Sequence, residues 1–340
     1  MLNSLKRLIN GDIPVAQTPV GGLELSIIVI VYDMPLQAQR TLQSLTPQYQ
    51  EGVSESDYEV IVVENQSANN LDRDFLAALP GNFSYHLRAE REPTPVHAIN
   101  HGVGISRGRY ICIMIDGARM VTPGVVRNIL RGHRMQKRAV VTVPGYHIGE
   151  RVQQDAVEQG YGVAEDQALI ESTGWPLDGY KLFDIACFSG SCDPGFFLPN
   201  NESNCISVPR DIWAMLGGMD TRFDLRGGGL VNLDLYKRAC EFSGAQHVML
   251  MGEGTFHQFH GGVTTGGEAR EVRDKLIYSM NEQYEEIRGE PYQSPQSTPI
   301  YLGEMSPQAL RFVGHSVDAA LSEVQAGKPD VPRPAKTVSR

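Results

Sequence analysis

The chain has 340 residues, 41% of them hydrophobic, and a formal net charge of −10. That is enough apolar material for one large α/β domain with an accessory segment, while the acidity excludes broad nucleic-acid binding, which requires a positive face. Five scattered cysteines, Cys112, Cys187, Cys192, Cys205 and Cys240, are too few for a disulfide framework. Cys187 and Cys192 are close enough to suggest a metal pair, but no second Cys/His pair stands at zinc-ribbon spacing, so buried thiols are the better reading.

The start, M-L-N-S-L-K-R-L-I-N-G-D, is basic and amphipathic but lacks the apolar stretch and cleavage site of a signal peptide. No apolar run reaches the roughly eighteen residues of a membrane-spanning helix. A cytoplasmic location is expected. Leu2, Leu5, Leu8 and Ile9 suit docking onto the domain, with peripheral contact at the inner face of a membrane as the alternative.

Residues 25–33, L-S-I-I-V-I-V-Y-D, form an apolar, β-branched run without polar alternation, the pattern of a strand covered on both faces. Pro35 suits a first helical turn, where an amide is dispensable, and Ala38, Leu42 and Leu45 follow at helical spacing. Residues 59–63 predict a second buried strand, 84–88 a weaker third and 110–115 another. A helix is expected to begin near Pro123, and residues 139–143 continue the alternation. Strands and helices at such short intervals predict a doubly wound half.

Residues 145–205 are rich in Gly, Ser, Asp and aromatics and predict long loops and short strands over the sheet's edge. Leu230, Leu233, Tyr236 and Cys240 give an apolar stripe to a helix after Gly227-Gly228-Gly229. Val272, Leu276, Met280, Tyr284 and Ile287 mark another helix, stopped by Gly289. The last dozen residues, proline-rich and charged, predict a disordered tail.

Ligands of an open parallel sheet bind beyond the carboxyl ends of its strands. Those ends read Tyr32-Asp33, Glu64-Asn65-Gln66-Ser67 and Asp116-Gly117-Ala118-Arg119. There is no G-x-G-x-x-G after the first strand and no G-x-x-x-x-G-K, so neither a dinucleotide fold nor a P-loop is supported. An acidic rim suits a base and ribose held through their N–H and O–H donors, with a divalent ion neutralising a diphosphate. An acid after a strand also serves as a helix N-cap, the bland alternative for each position taken singly.

The order S-I-I-V-I-V-Y-D, V-I-V-V-E-N-Q-S and A-I-N-H-G-V-G-I-S-R-G-R-Y-I-C-I-M-I-D-G-A, followed by W-A-M-L-G-G-M-D-T-R-F at 213–223, resembles the family-2 glycosyltransferases. The likeness covers roughly residues 25–262. It implies a Rossmann-like GT-A fold: a mostly parallel central sheet with helices on both faces, then a C-terminal helical segment. The corresponding division is an N-terminal extension (1–23), a catalytic domain (24–265) with a nucleotide-sugar half (24–145) and an acceptor half (146–265), a helical segment (266–325) and a tail (326–340).

By that resemblance Tyr32, Asp33 and Glu64 lie against the nucleoside and Asn100 helps shape the site beside the sugar. Asp116 corresponds to the first acid of the family's D-x-D motif, which contacts ribose and metal. Ala118 stands where the second acid falls. In G-T-F-H-Q-F-H-G-G, His257 or His260 resembles the family's downstream metal-ligand histidine. Imidazole with one carboxylate suits Mn²⁺ better than Mg²⁺, which prefers an all-oxygen shell. The family's Glu-Asp pair, counted back from Arg238, falls on Val231 and Asn232, so the candidate bases are Asp234 and, in N-E-S-N-C, Glu202.

The activity implied is inverting, non-processive transfer of a sugar from a nucleotide diphosphate-sugar, UDP-linked by preference, to a hydroxyl of a glycan or glycolipid. Processive synthesis is disfavoured, since neither Trp175 nor Trp213 sits in a Q-x-x-R-W pattern. The alternative is a catalytically degenerate protein that binds a nucleotide sugar or glycan, motivated by Ala118, Val231 and Asn232. A sugar nucleotidyltransferase would need a glycine-rich basic loop, which residues 33–45 lack.

Overall fold

Every residue of the first strand, β1 (Leu25–Val31), is buried, as its apolar run requires, and its one polar residue, Ser26, donates to Glu59 Oε1 at 2.7 Å. The computed structural model describes residues 22–261 and 270–327. Leu2, Leu5, Leu8 and Ile9, and the tail from residue 328, lie outside the described residues.

In chain order α1 (Pro35–Ser44), β2 (Tyr58–Asn65), α2 (Arg73–Ala77), β3 (Phe83–Arg88), α3 (Val96–Ile105) and β4 (Tyr110–Met114) follow. Next come β5 (Arg119–Val121), α4 (Val125–Met135), β6 (Ala139–Thr142), β7 (Gly145–Ile148), α5 (Gln153–Ala156), α6 (Val163–Ser172) and β8 (Ala186–Phe188). The chain continues through β9 (Cys205–Pro209), α7 (Arg210–Leu216), α8 (Val231–Cys240), β10 (Gln246–Leu250) and β11 (Thr255–His257). It closes with α9 (Arg270–Arg288), β12 (Ile300–Leu302) and α10 (Leu310–Gln325).

Eight strands build the main sheet in the order β12-β10-β6-β9-β4-β1-β2-β3. Its pairings are parallel except those of β9, which runs antiparallel to both β4 and β6. Alternate residues of β1 enter different cores. Leu25, Ile27 and Val29 pack with Ala38 and Leu42 of α1 and Ile129 of α4. Ile28 and Ile30 pack with Ile99 of α3, Ile212 of α7 and Leu235 of α8. Burying an aliphatic side chain completely contributes about 1.5–3 kcal/mol, so helices on both faces hold the sheet.

A second sheet of four short strands, in the order β5-β11-β7-β8, stands beside the main one. Its core is aromatic: Tyr146 lies edge-on to Phe183 and Phe312 and stacks on Phe188 and Phe256. Phe312 belongs to α10, so this helix is part of the same core.

Some elements differ from expectation. The helix expected near Pro123 begins at Val125, because Thr122 to Gly124 form a turn in which the Val125 amide donates to the Thr122 carbonyl. The loops expected over 145–205 include α5 and α6, the latter stabilised where the Gly162 amide donates to Glu165 Oε2 at 3.1 Å. In α8 the packed residues are Val231, Leu235, Tyr236, Ala239 and Cys240, whereas Leu233 faces a cavity. Among the described residues, no helix is long and apolar enough to cross a membrane.

The reversal of β9 positions the site. Its register pairs Met114 with Cys205, so the chain entering β9 sits beside the chain leaving β4. Glu202 and Asn204 are thereby delivered to the same edge as Asp116.

Candidate active site

The carboxyl ends of β1, β2 and β4 open into a cavity of about 1050 Å³. The small sheet, the Gly227–Gly229 turn and α9 complete its walls.

At one end stand Tyr32, Asp33, Asn65 and Gln66. Asp33 has φ +54, the one positive φ at a non-glycine among the described residues, a conformation Asp tolerates better than most. Its Oδ1 accepts from Asn69 Nδ2 at 2.9 Å, and Pro35 starts α1 just beyond.

Glu64 is not in the cavity. It is fully buried, with its carboxylate accepting from the Leu71 amide at 3.1 and 3.2 Å and from the Tyr85 hydroxyl at 2.6 Å. Burial pushes its carboxyl above the usual value, against those hydrogen bonds. Side chains alternate along a strand, so the next residue, Asn65, takes the cavity face instead. Its Oδ1 is buried without a hydrogen-bond partner.

The centre is built on Asp116, two residues past β4. Its Oδ1 accepts from the Ala118 amide at 3.0 Å. Gly117 makes this turn possible, because a Cβ there would meet the Ile30 carbonyl oxygen at 2.7 Å and Val31 Cγ2 at 2.9 Å. Ala118 packs into the core rather than lining the cavity. Its carbonyl accepts from the Gln258 amide at 2.8 Å, and Gln37 Nε2 donates to the Phe259 carbonyl at 2.7 Å, which fixes the segment carrying both histidines.

That segment brings His257 Nε2 to 3.0 Å from Asp116 Oδ2 and His260 Nε2 to 3.8 Å from Asp116 Oδ1. The two Nε2 atoms are 3.1 Å apart. His257 Nδ1 lies 2.6 Å from Gln153 Oε1, an acceptor, so Nδ1 carries the proton and the Nε2 lone pair faces Asp116 and His260.

Burial, and then Arg119 nearby, push the His257 imidazole down to about 4. Burial opposes ionisation of Asp116, but His260 beside it outweighs this and holds the carboxyl well below the usual carboxylate range. A carboxylate and a neutral imidazole are the protonation states that ligate a cation. The donor atoms of Asp116, His257 and His260 lie within 4.8 Å of one another, so this set fits a divalent ion. Cys187 and Cys192, by contrast, are free thiols raised to about 11 by burial.

At the far end Glu202 Oε2 accepts from Asn232 Nδ2 at 2.8 Å, and both residues line the cavity with Asn204. Asp234 does not. It is fully buried, with Oδ1 accepting from Arg288 Nε at 2.6 Å and Oδ2 from Arg288 Nη2 and Arg238 Nε, each at 2.7 Å. Asn100 is also outside the cavity. Its amide brackets the backbone of Met219, donating to the carbonyl at 2.9 Å and accepting from the amide at 3.0 Å, and so clamps α3 to the Gly217-Gly218 turn.

The sequence reading missed Asn65, whose only signal was the strand's two-residue period. The sequence alone also puts Asp234 ahead of Glu202 as the base, since the arginine that covers Asp234 comes from α9.

Residues 26–189 match the model of glycosyl transferase family 2. This stretch is a family 2 glycosyltransferase domain. The mostly parallel sheet with helices on both faces is of the GT-A type.

Among solved structures the chain is similar to residues 1–349 of TarS from S. aureus, determined with UDP-GlcNAc, at 10% identity, 91% coverage of this chain, 76% of that one and a TM-score of 0.49. It is also similar to the mannosyltransferase PcManGT of Pyrobaculum calidifontis, determined with GDP-Man and Mn²⁺, at 13% identity, 96% and 83% coverage and a TM-score of 0.48. Against a longer TarS structure the match covers 38% of this chain and 23% of that one, with 16% identity and a TM-score of 0.34. No curated protein matches the sequence.

Proposed function

We propose that the enzyme transfers a sugar from a nucleotide diphosphate-sugar to a hydroxyl of a glycan or glycolipid, with inversion at the anomeric carbon. The observation that carries this reading is the convergence of Asp116, His257 and His260 in one cavity, between Asp33 and Asn65 on one side and Glu202 on the other.

Asp33 and Asn65 hold the nucleoside, and the exposed Tyr32 offers a ring for its base. The unpartnered Asn65 oxygen suits the single imide N–H of uracil, which favours UDP. Asp116, His257 and His260 would hold the divalent ion, Mn²⁺ for preference given two imidazoles. When bound, such an ion neutralises the diphosphate as a leaving group. Glu202, oriented by Asn232, is the base that takes the proton of the attacking hydroxyl. The acceptor enters from the half of the domain formed by residues 146–265.

A second reading, binding without turnover, draws on Ala118 and on Asn232 at the position of an acid. Calorimetric titration with UDP and GDP, with and without Mn²⁺, followed by a donor-hydrolysis assay, tests both. Failure to bind either nucleotide removes the proposal. Binding with no hydrolysis or transfer, unchanged in Glu202→Gln, favours the second reading.

A further inference from the structure

Two buried polar groups in the cavity have no part in the scheme above. Arg119, which opens β5, is 7% exposed, and its Nε and Nη1 have no hydrogen-bond partner among the described residues. Asp116 Oδ2 lies 3.6 Å from Nε, an ion-pair distance too long for a hydrogen bond. Ser189, directly after β8, is 3% exposed, and its Oγ also lacks a partner in hydrogen-bonding geometry; the nearby Cys192 thiol is a weak one at best. Both residues line the cavity. Unmet donors on a buried guanidinium are strongly unfavourable, so two such groups side by side point to a ligand.

Gly145 shows that the groups face one space. A Cβ built on it would lie 3.0 Å from Ser189 Oγ and 3.7 Å from Arg119 Nη1. Its backbone is not left-handed, so the glycine serves to leave room rather than to make a turn. Gly145 also holds Ser189 in place, its carbonyl accepting from the Ser189 amide at 2.9 Å.

We infer that Arg119 and Ser189, over the floor of Gly145, bind an oxyanion carried by the substrate. The inference rests on the donor cavity proposed above and assigns a part of it that no cation ligand fills. Arg has donors only, so its counterpart must accept; a planar N–H fork beside a hydroxyl matches a phosphoryl group or a carboxylate. The charge pattern agrees. Ala118 packs into the core while Arg119, the next residue, puts a cation on the cavity wall, so this part of the wall favours an anionic ligand. The oxyanion is either a phosphoryl group of the diphosphate or a carboxylate on the transferred sugar.

The test titrates wild type, Arg119→Met and Ser189→Ala with inorganic pyrophosphate, UDP, UDP-glucose and UDP-glucuronate in the presence of Mn²⁺, and with Mn²⁺ alone. Ser189→Ala removes a single oxygen and keeps the test open should Arg119→Met fold poorly. Both variants are expected to lose about tenfold or more in affinity for an oxyanion ligand. Mn²⁺ alone should bind as well or better, since a neighbouring cation has been removed or left untouched.

Losses for UDP and pyrophosphate assign the phosphoryl source, and a loss confined to UDP-glucuronate assigns the carboxylate. Variants that match wild type with all four ligands overturn the inference, as does an equal loss for Mn²⁺ alone, which would make Arg119 a prop of the cation site. Pyrophosphate binding that depends on both residues, in a protein that binds no nucleotide, keeps the oxyanion subsite and removes the nucleotide reading. Nucleotide binding indifferent to both residues does the reverse.

Discussion

Asp116 Oδ2 lies 3.0 Å from His257 Nε2, across the gap between the end of β4 and the end of β11. Glycine at 117 and alanine at 118 let these strand ends approach: the first allows the turn, and the second anchors the histidine segment through its carbonyl. With His260 they form a three-residue donor set. Asp116→Asn and His257→Ala are each expected to weaken Mn²⁺ binding by about tenfold or more, measured by calorimetry or electron paramagnetic resonance. Gln153→Ala, which frees the Nδ1 proton of His257, should cost on the order of tenfold. Unchanged Mn²⁺ binding in Asp116→Asn would remove the carboxylate from the set.

Glu202 and Asp234 make opposite predictions. Glu202→Gln should lower transfer by about 10²–10⁴-fold while UDP affinity and melting temperature hold. Asp234→Asn leaves Arg238 and Arg288 without their shared carboxylate, and breaking such a buried pair destabilises by roughly 3 kcal/mol, read as a lower urea midpoint. Its turnover at a temperature where it stays folded should remain near wild type. A large loss of turnover at full stability would return Asp234 to the chemistry.

The sheet was legible because β1 and β2 carry apolar runs with no polar alternation, and the cavity because strand ends in such a sheet mark where ligands bind. The runs concealed which face each terminal residue takes: with both faces apolar, Glu64 and Asn65 look equally placed, and only the packing of Leu71 and Tyr85 around Glu64 separates them. The standing of Asp234 depends on Arg288, on a helix far along the chain, so no local pattern carried it. The small sheet was hidden for another reason. Its strands of three or four residues are too short to show a period.

The separation of Glu64 from Asn65 can be measured. Asn65→Ala removes the unpartnered amide and should weaken UDP binding by roughly 1 kcal/mol, about fivefold, with little change in stability. Glu64→Gln replaces an acceptor of two donors with an amide that must also donate, and should cost about 1–2 kcal/mol of stability with nucleotide affinity unchanged. Calorimetry and urea unfolding on both variants decide the matter; a reversed pattern would place Glu64 against the nucleoside after all.

Stability should fall on mild acidification because of two buried histidines remote from the cavity. His247 sits between the hydroxyls of Thr142 at 2.9 Å and Ser297 at 3.0 Å, and burial pushes its imidazole down to about 4. His133 stacks on Tyr110, with ring centroids 3.9 Å apart, and burial with Arg109 pushes it down to about 3. In the unfolded chain both titrate at about 6.5. Below that pH the unfolded state binds protons that the folded state refuses, so the contribution is complete above about 6.5 and is lost as pH falls through about 4 for His247 and about 3 for His133. Each histidine can steepen the dependence by at most about tenfold in the unfolding constant per pH unit. His247→Gln, which cannot titrate, should be less stable at pH 7 yet show a shallower fall in urea midpoint between pH 6.5 and 4.5. An unaltered slope would mean that His247 is already protonated in the folded protein, and that its two hydroxyl neighbours stabilise the cation instead of the neutral ring.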